Sequence, residues 1–124
     1  MEMRECRLTE EFRTRTKRFA ASVIRLFVQL PKNRDECLVC GKQMLRSGTS
    51  VAAHVREASR ARSDAEFVSK LGGALQEADE TQLWLELLRE DCGIDPAMGL
   101  PIEQEADELI AIITTMIRRT GGKR

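Results

Sequence analysis

The side chains best suited to nucleophilic or metal chemistry are four cysteines and a single histidine. Cys37-Leu-Val-Cys40 has the C-x-x-C spacing used by redox pairs and zinc sites. Cys92 should close the third helix at the same end of the molecule, and Cys6 should lie at the opposite end. His54 is 14 residues beyond Cys40, about 21 Å along a helix. Three thiols therefore gather without a fourth ligand, where a structural zinc takes four. Plain reduced thiols are the leading reading, with a redox pair and a metal site as alternatives. Ser50 stands one turn from His54, but helical hydroxyls at that spacing usually serve packing or backbone bonds. Glu77 and Glu80 lack the Glu-x-x-His partners of a di-metal bundle site. The expectation is no catalytic residue, no metal and no cofactor: a non-enzyme.

A different chemistry is offered by Arg13, Arg15, Lys17 and Arg18, joined by Arg4, Arg7 and Arg25. They are the candidate nucleic-acid contacts, although no exposed aromatics are interleaved for base stacking. The formal charge is zero overall but unevenly spread. Residues 1–62 carry 14 Lys/Arg against 7 Asp/Glu, and residues 64–108 carry 2 against 13. The plain reading is solvated helix faces that attract one another weakly; the alternative is a basic patch for a polyanion. Repetition around an oligomer would multiply such a patch.

These residues need helices to position them. Aromatics are 4% of the chain and tyrosine is absent, which argues against a sheet. Apolar periodicity predicts four helices, over about 9–30, 34–61, 64–91 and 102–119. Thr9 is the expected first N-cap and Pro31 the first stop. Gly48 sits inside the second helix, where it costs about 1 kcal/mol against alanine and suits a close helix approach. Ser63 and Glu66 have capping-box spacing, and Gly93 suits a helix end. Pro101 is read as a first-turn proline of the fourth helix, with Glu103, Glu105, Asp107 and Glu108 crowding its start. Gly121 and Gly122 are its expected stop. Short links make successive helices antiparallel neighbours. The expected fold is all-α: one domain over 1–124, an up-down-up-down antiparallel four-helix bundle.

Helix 4 carries more apolar surface than a bundle stripe needs. Ile102, Ala106, Leu109, Ile110, Ile112, Ile113, Met116 and Ile117 span about 160° of the wheel, against about 100° for one buried face. Helix 3 adds Leu83, Trp84 and Leu87, and helix 1 adds Ile24 and Val28. Contiguous apolar surplus marks an interface. Leu83, Trp84, Leu87, Ile112 and Met116 are the candidates for contact between copies of the chain.

Two segments carry a family resemblance: Gln43 to Ser59 (QMLRSGTSVAAHVREAS) and Leu75 to Leu88 (LQEADETQLWLELL). Together with Phe19 to Val23 they resemble the four-helix bundle family of proteins encoded in 23S ribosomal RNA intervening sequences. The pairing of Arg46, Ser47 and Ser50 with Glu80, Thr81 and Trp84 carries most of the likeness. The family usually has Asn at the position of His54. The resemblance implies a ring, commonly a homopentamer. It also implies kinship with accessory proteins of diversity-generating retroelements, which bind a reverse transcriptase and nucleic acid. On helix 2, Arg46, Ser50, His54 and Glu57 fall within about 80° of one another. Glu77, Thr81, Trp84 and Leu88 form a matching row on helix 3, and the two rows are expected to meet.

No apolar leader opens the chain and no run reaches membrane length, so the expected location is the cytoplasm. The reading that results is a homo-oligomeric, non-enzymatic bundle that binds RNA, DNA or a ribonucleoprotein partner. Its alternative is a protein-only scaffold.

Overall fold

The computed structural model describes residues 6–121. Arg4 and Gly122 lie outside that range. Four helices follow in order: α1 Glu10–Gln29, α2 Asp35–Ser59, α3 Asp64–Glu90 and α4 Pro96–Gly121. Packing joins α1 to α2, α2 to α3, α3 to α4, and α4 back to α1, and among the described residues no diagonal pair of helix backbones comes close. That closed order is the up-down-up-down antiparallel bundle.

The ends follow local chemistry. Thr9 accepts from the Phe12 N–H at 3.1 Å, and Leu30 is extended (φ −70°, ψ 147°) before Pro31. Lys32 closes α1 by donating to the Phe27 and Leu30 carbonyls at 2.7 and 2.8 Å. Ser63 accepts from the Glu66 N–H at 3.0 Å, while the Glu66 carboxylate accepts from the Arg62 N–H at 3.0 Å. The cap is thus reciprocal but reaches one residue beyond the usual box. Gly93, at φ 71°, ends α3, and the Ile94 N–H returns to the Leu88 carbonyl at 3.0 Å.

Helix α4 corrects the sequence reading. It begins at Pro96, and Pro101 lies inside it. Asp95-Pro96 is the stronger start: the Asp95 carboxylate accepts from the Ala97 N–H at 3.0 Å, and Pro96 takes a position whose N–H needs no partner. Pro101 removes one later bond, to the Ala97 carbonyl, and both residues are exposed, so water can take it. Glu103, Glu105 and Glu108 therefore sit in mid-helix and act sideways, on Arg89 and Arg15, rather than on the helix dipole.

Phe19, Val23, Met44, Val51, Val55, Leu71, Leu85, Leu88, Leu109 and Ile113 fill the core, each at most 2% exposed. A Cβ at Gly48 would stand 2.8 Å from a Val23 methyl, so the glycine sets the approach of α1 to α2. No helix among the described residues is long and apolar enough to cross a membrane.

Candidate nucleic-acid interface

Where α1 begins, the antiparallel α2 is ending, so the basic first turns of one meet the basic last turns of the other. Ala52, Ala53, Thr16 and Val55 are small enough to leave an open groove of about 1010 Å³ between them. Arg13, Lys17, Arg56, Arg60, Arg62 and Lys70 line it, against two carboxylates, Glu57 and Glu66. Both carboxylates are already engaged. Glu57 lies 3.4 Å from Lys70, and Glu66 lies 3.6 Å from Arg62. Accepting the Arg62 N–H, reinforced by the Arg62 and Lys70 charges, holds the Glu66 carboxyl below its ordinary value of 4.5. Arg13, Lys17 and Arg56 have no side-chain partner among the described residues, and the Arg13 Nε is buried without an acceptor.

The basic cluster read from the sequence is therefore divided. Arg13 and Lys17 enter the groove, and Arg18 is exposed outside it. Arg15 turns to α4 instead. Its Nε and Nη2 donate to Glu105 at 2.7 and 2.8 Å, and Nη2 also reaches Glu108 at 2.8 Å. These hydrogen bonds raise its pKa, so Arg15 clasps α1 to α4 with its charge answered. Arg7 is likewise occupied, donating to the Ala61 carbonyl at 3.1 Å and to Asp64 at 2.7 Å. Arg25 donates to Ser22 at 3.3 Å. Sequence reasoning missed Arg56 and Arg60. Their signal was the flank Ala52, Ala53, Arg56, Arg60, small residues followed by cations at helical spacing.

The two motif rows meet along the α2–α3 seam. Arg46 donates to Glu80 at 2.8 Å and to both Glu77 oxygens at 3.4 Å. Beneath this exposed pairing, Thr81 and Ser47 are fully buried, with their hydroxyls 2.8 Å apart. Thr81 also reaches the Glu77 carbonyl at 2.7 Å and Ser47 the Met44 carbonyl at 3.3 Å. Two hydroxyl protons thus serve three contacts. The His54 ring packs on Gly73, 3.0 Å from where a Cβ would stand, with Nδ1 3.5 Å from the Glu57 carboxylate. Ser50 is half-buried beside the row.

Apolar side chains beyond the core are present on every helix, to different degrees of exposure. Ile112 and Met116 are half-buried and packed on the core, as are Ile110, Ile117 and Trp84. Leu87 is half-buried. The large exposed apolar side chains are Ile24 (45%), Val28 (69%), Val39 (60%), Leu83 (48%) and Leu100 (37%). No group of three or more His, Cys, Asp or Glu side chains among the described residues is arranged to hold a metal ion.

Comparison with known proteins adds two findings. The family model described as 23S rRNA-intervening sequence protein matches residues 10–115. A crystal structure of a protein of unknown function from the S23 ribosomal protein family of Bacteroides thetaiotaomicron is 37% identical. The match covers 86% of this chain and 94% of that one, with a TM-score of 0.78. No curated protein matches.

Proposed function

The chain belongs to the 23S rRNA-intervening sequence protein family, and on that premise we propose that it is a non-enzymatic bundle that self-associates and holds nucleic acid in its α1–α2 groove. The observation that carries the reading is that groove: six cations line it against two carboxylates. A groove without aromatic lining contacts phosphates rather than stacking bases, so recognition would be charge-driven and indifferent to sequence. Self-association rests on exposed Ile24, Val28, Val39 and Leu83, apolar side chains that a second copy would cover. A ring of five copies is the assembly we propose, and it would repeat the groove around its rim, adding avidity to a modest single site.

The test is fluorescence anisotropy with a labelled single-stranded RNA and its DNA counterpart across a salt series. Three to five phosphate contacts give a slope of about −2 to −3.5 in log affinity against log salt. Absence of binding at low salt overturns nucleic-acid recognition. The exposed apolar side chains then favour the protein-only scaffold. Light scattering on the same sample reads the oligomer, and a monomer at micromolar concentration overturns self-association.

A further inference from the structure

The bundle turns two unlike surfaces to its surroundings. α1 and α3 occupy diagonal corners, and among the described residues their backbones do not come close. Exposed side chains on these two helices therefore point in opposite directions. Each helix carries large apolar groups in water. On α1 they are Ile24 and Val28, one turn apart. On α3 it is Leu83, with half-buried Leu87 one turn further on.

The charges beside the two strips are opposite in sign. No Asp or Glu lies between Phe12 and Arg34. Arg25 stands one turn before Val28, and the Lys32 Nζ lies 3.4 Å from the Val28 carbonyl. Arg25 bonds to the Ser22 hydroxyl and Lys32 to backbone carbonyls, so neither charge is answered by a carboxylate there. Leu83 is flanked at helical spacing by Asp79 and Glu86, both exposed. Residues 75–91 hold six carboxylates against one cation, Arg89, and that cation is taken by Glu103 of α4 at 2.9 Å.

We propose that the α1 strip of one copy packs on the α3 strip of the next, joining identical chains head to tail. Its premise is the self-association proposed above. Charge opposes pairing like with like. An α1–α1 contact sets Arg25 and Lys32 against a second Arg25 and Lys32, and an α3–α3 contact does the same with Asp79 and Glu86. An α1–α3 contact covers the apolar side chains and sets cations against carboxylates. Because the two surfaces lie on opposite sides of the chain, each copy keeps one surface free after joining a neighbour, and addition continues until a ring closes. α1 and α3 have 20 and 27 residues, about 30 and 40 Å, so the strips can lie side by side. Lys17 precedes Ile24 by seven residues, about 10 Å along the helix, which leaves the groove open beside the contact.

The test uses two full-length variants. Val28→Glu places a carboxylate where the next copy presents Asp79 and Glu86. Leu83→Lys places a cation where the next copy presents Arg25. Both positions are exposed, so the helical circular dichroism of each variant should match the parent's. Should one lose helicity, Arg25→Glu or Glu86→Lys replaces it with the same expected outcome. In analytical ultracentrifugation each variant alone should sediment as a single chain where the parent is assembled, its association weakened by about 100-fold or more. Mixed in equal amounts, the two should associate one to one, since each brings the surface that the other lacks. Two outcomes overturn the head-to-tail contact and leave self-association standing: a variant that assembles like the parent, or two single-chain variants that stay apart on mixing. A parent that is itself a single chain removes the premise, and the contact falls with it.

Discussion

Along its α3 flank, α2 answers its arginine: Arg46 has Glu77 and Glu80 within 3.4 Å, above a buried Ser47–Thr81 hydroxyl pair. Along its α1 flank, Arg56 shares a groove with Arg13 and Lys17 and has no carboxylate partner among the described residues. Both flanks belong to the same helix and use the same residue type. They differ in whether the neighbouring helix supplies the counter-charge. Charges answered within the chain add little to stability at the surface but fix which helices are neighbours. A groove whose cations outnumber its carboxylates repels itself mildly and attracts a polyanion. The seam therefore belongs to the fold, and the groove is what the fold presents.

The strongest way to break that comparison is to reverse charge in the groove. Lys17→Glu with Arg56→Glu removes two cations and adds two carboxylates. The affinity for single-stranded nucleic acid should fall by about 100-fold or more at low salt, with a shallower salt slope. Stability should move by no more than about 0.5 kcal/mol, because neither side chain is packed in the core. A large loss of stability with unchanged affinity would make the groove structural. Thr81→Val acts on the other flank. It keeps the shape but leaves Ser47 one partner short, and should lower unfolding stability by about 1–2 kcal/mol in urea. Adding Ser47→Ala should recover part of that loss, since removing both hydroxyls leaves no orphan. Nucleic-acid affinity should not change in either variant. Arg46→Ala is milder: about 0.2–1 kcal/mol, because Arg46 is half exposed.

The two flanks were unequally legible. The seam was readable because its rows repeat at helical spacing on two helices, so Arg46 and Ser47 could be set against Glu77, Glu80 and Thr81. The groove was only half legible, because it is shared by residues far apart in the chain, Arg13 and Lys17 on α1 with Arg56 and Arg60 at the end of α2. Linear density in α1 found Arg13 and Lys17, but it grouped them with Arg15 and Arg18 and left out Arg56 and Arg60. Nothing local says that Arg15 turns to α4, since Glu105 and Glu108 are ninety and more residues away. The start of α4 was misplaced for a local reason: two prolines competed for the first turn, and Asp95 decided for Pro96. The breadth of the apolar sector on α4 was real, and Ile112 and Met116 are half-buried at the edge of the core. Val39 escaped notice between the two cysteines that frame it.

The smallest expected effect lies on a residue that serves both flanks. Glu66 caps α3 and also lines the groove. Its pKa is held below 4.5 in the folded protein, first by the Arg62 N–H and then by the Arg62 charge. A depressed folded pKa means that its contribution to stability is complete above the unfolded value. That contribution is lost as pH falls through 4.5 and on through the lower folded value. Protonation in the same window removes one of the two negative charges from the groove. Denaturant stability should thus decline on acidification while nucleic-acid affinity at fixed salt rises. Glu66→Gln should flatten both trends together, compared with the parent between about pH 3 and pH 6. A variant that flattened the stability curve alone would show that the groove does not take the polyanion near Glu66, and would move the contact towards Arg13 and Lys17.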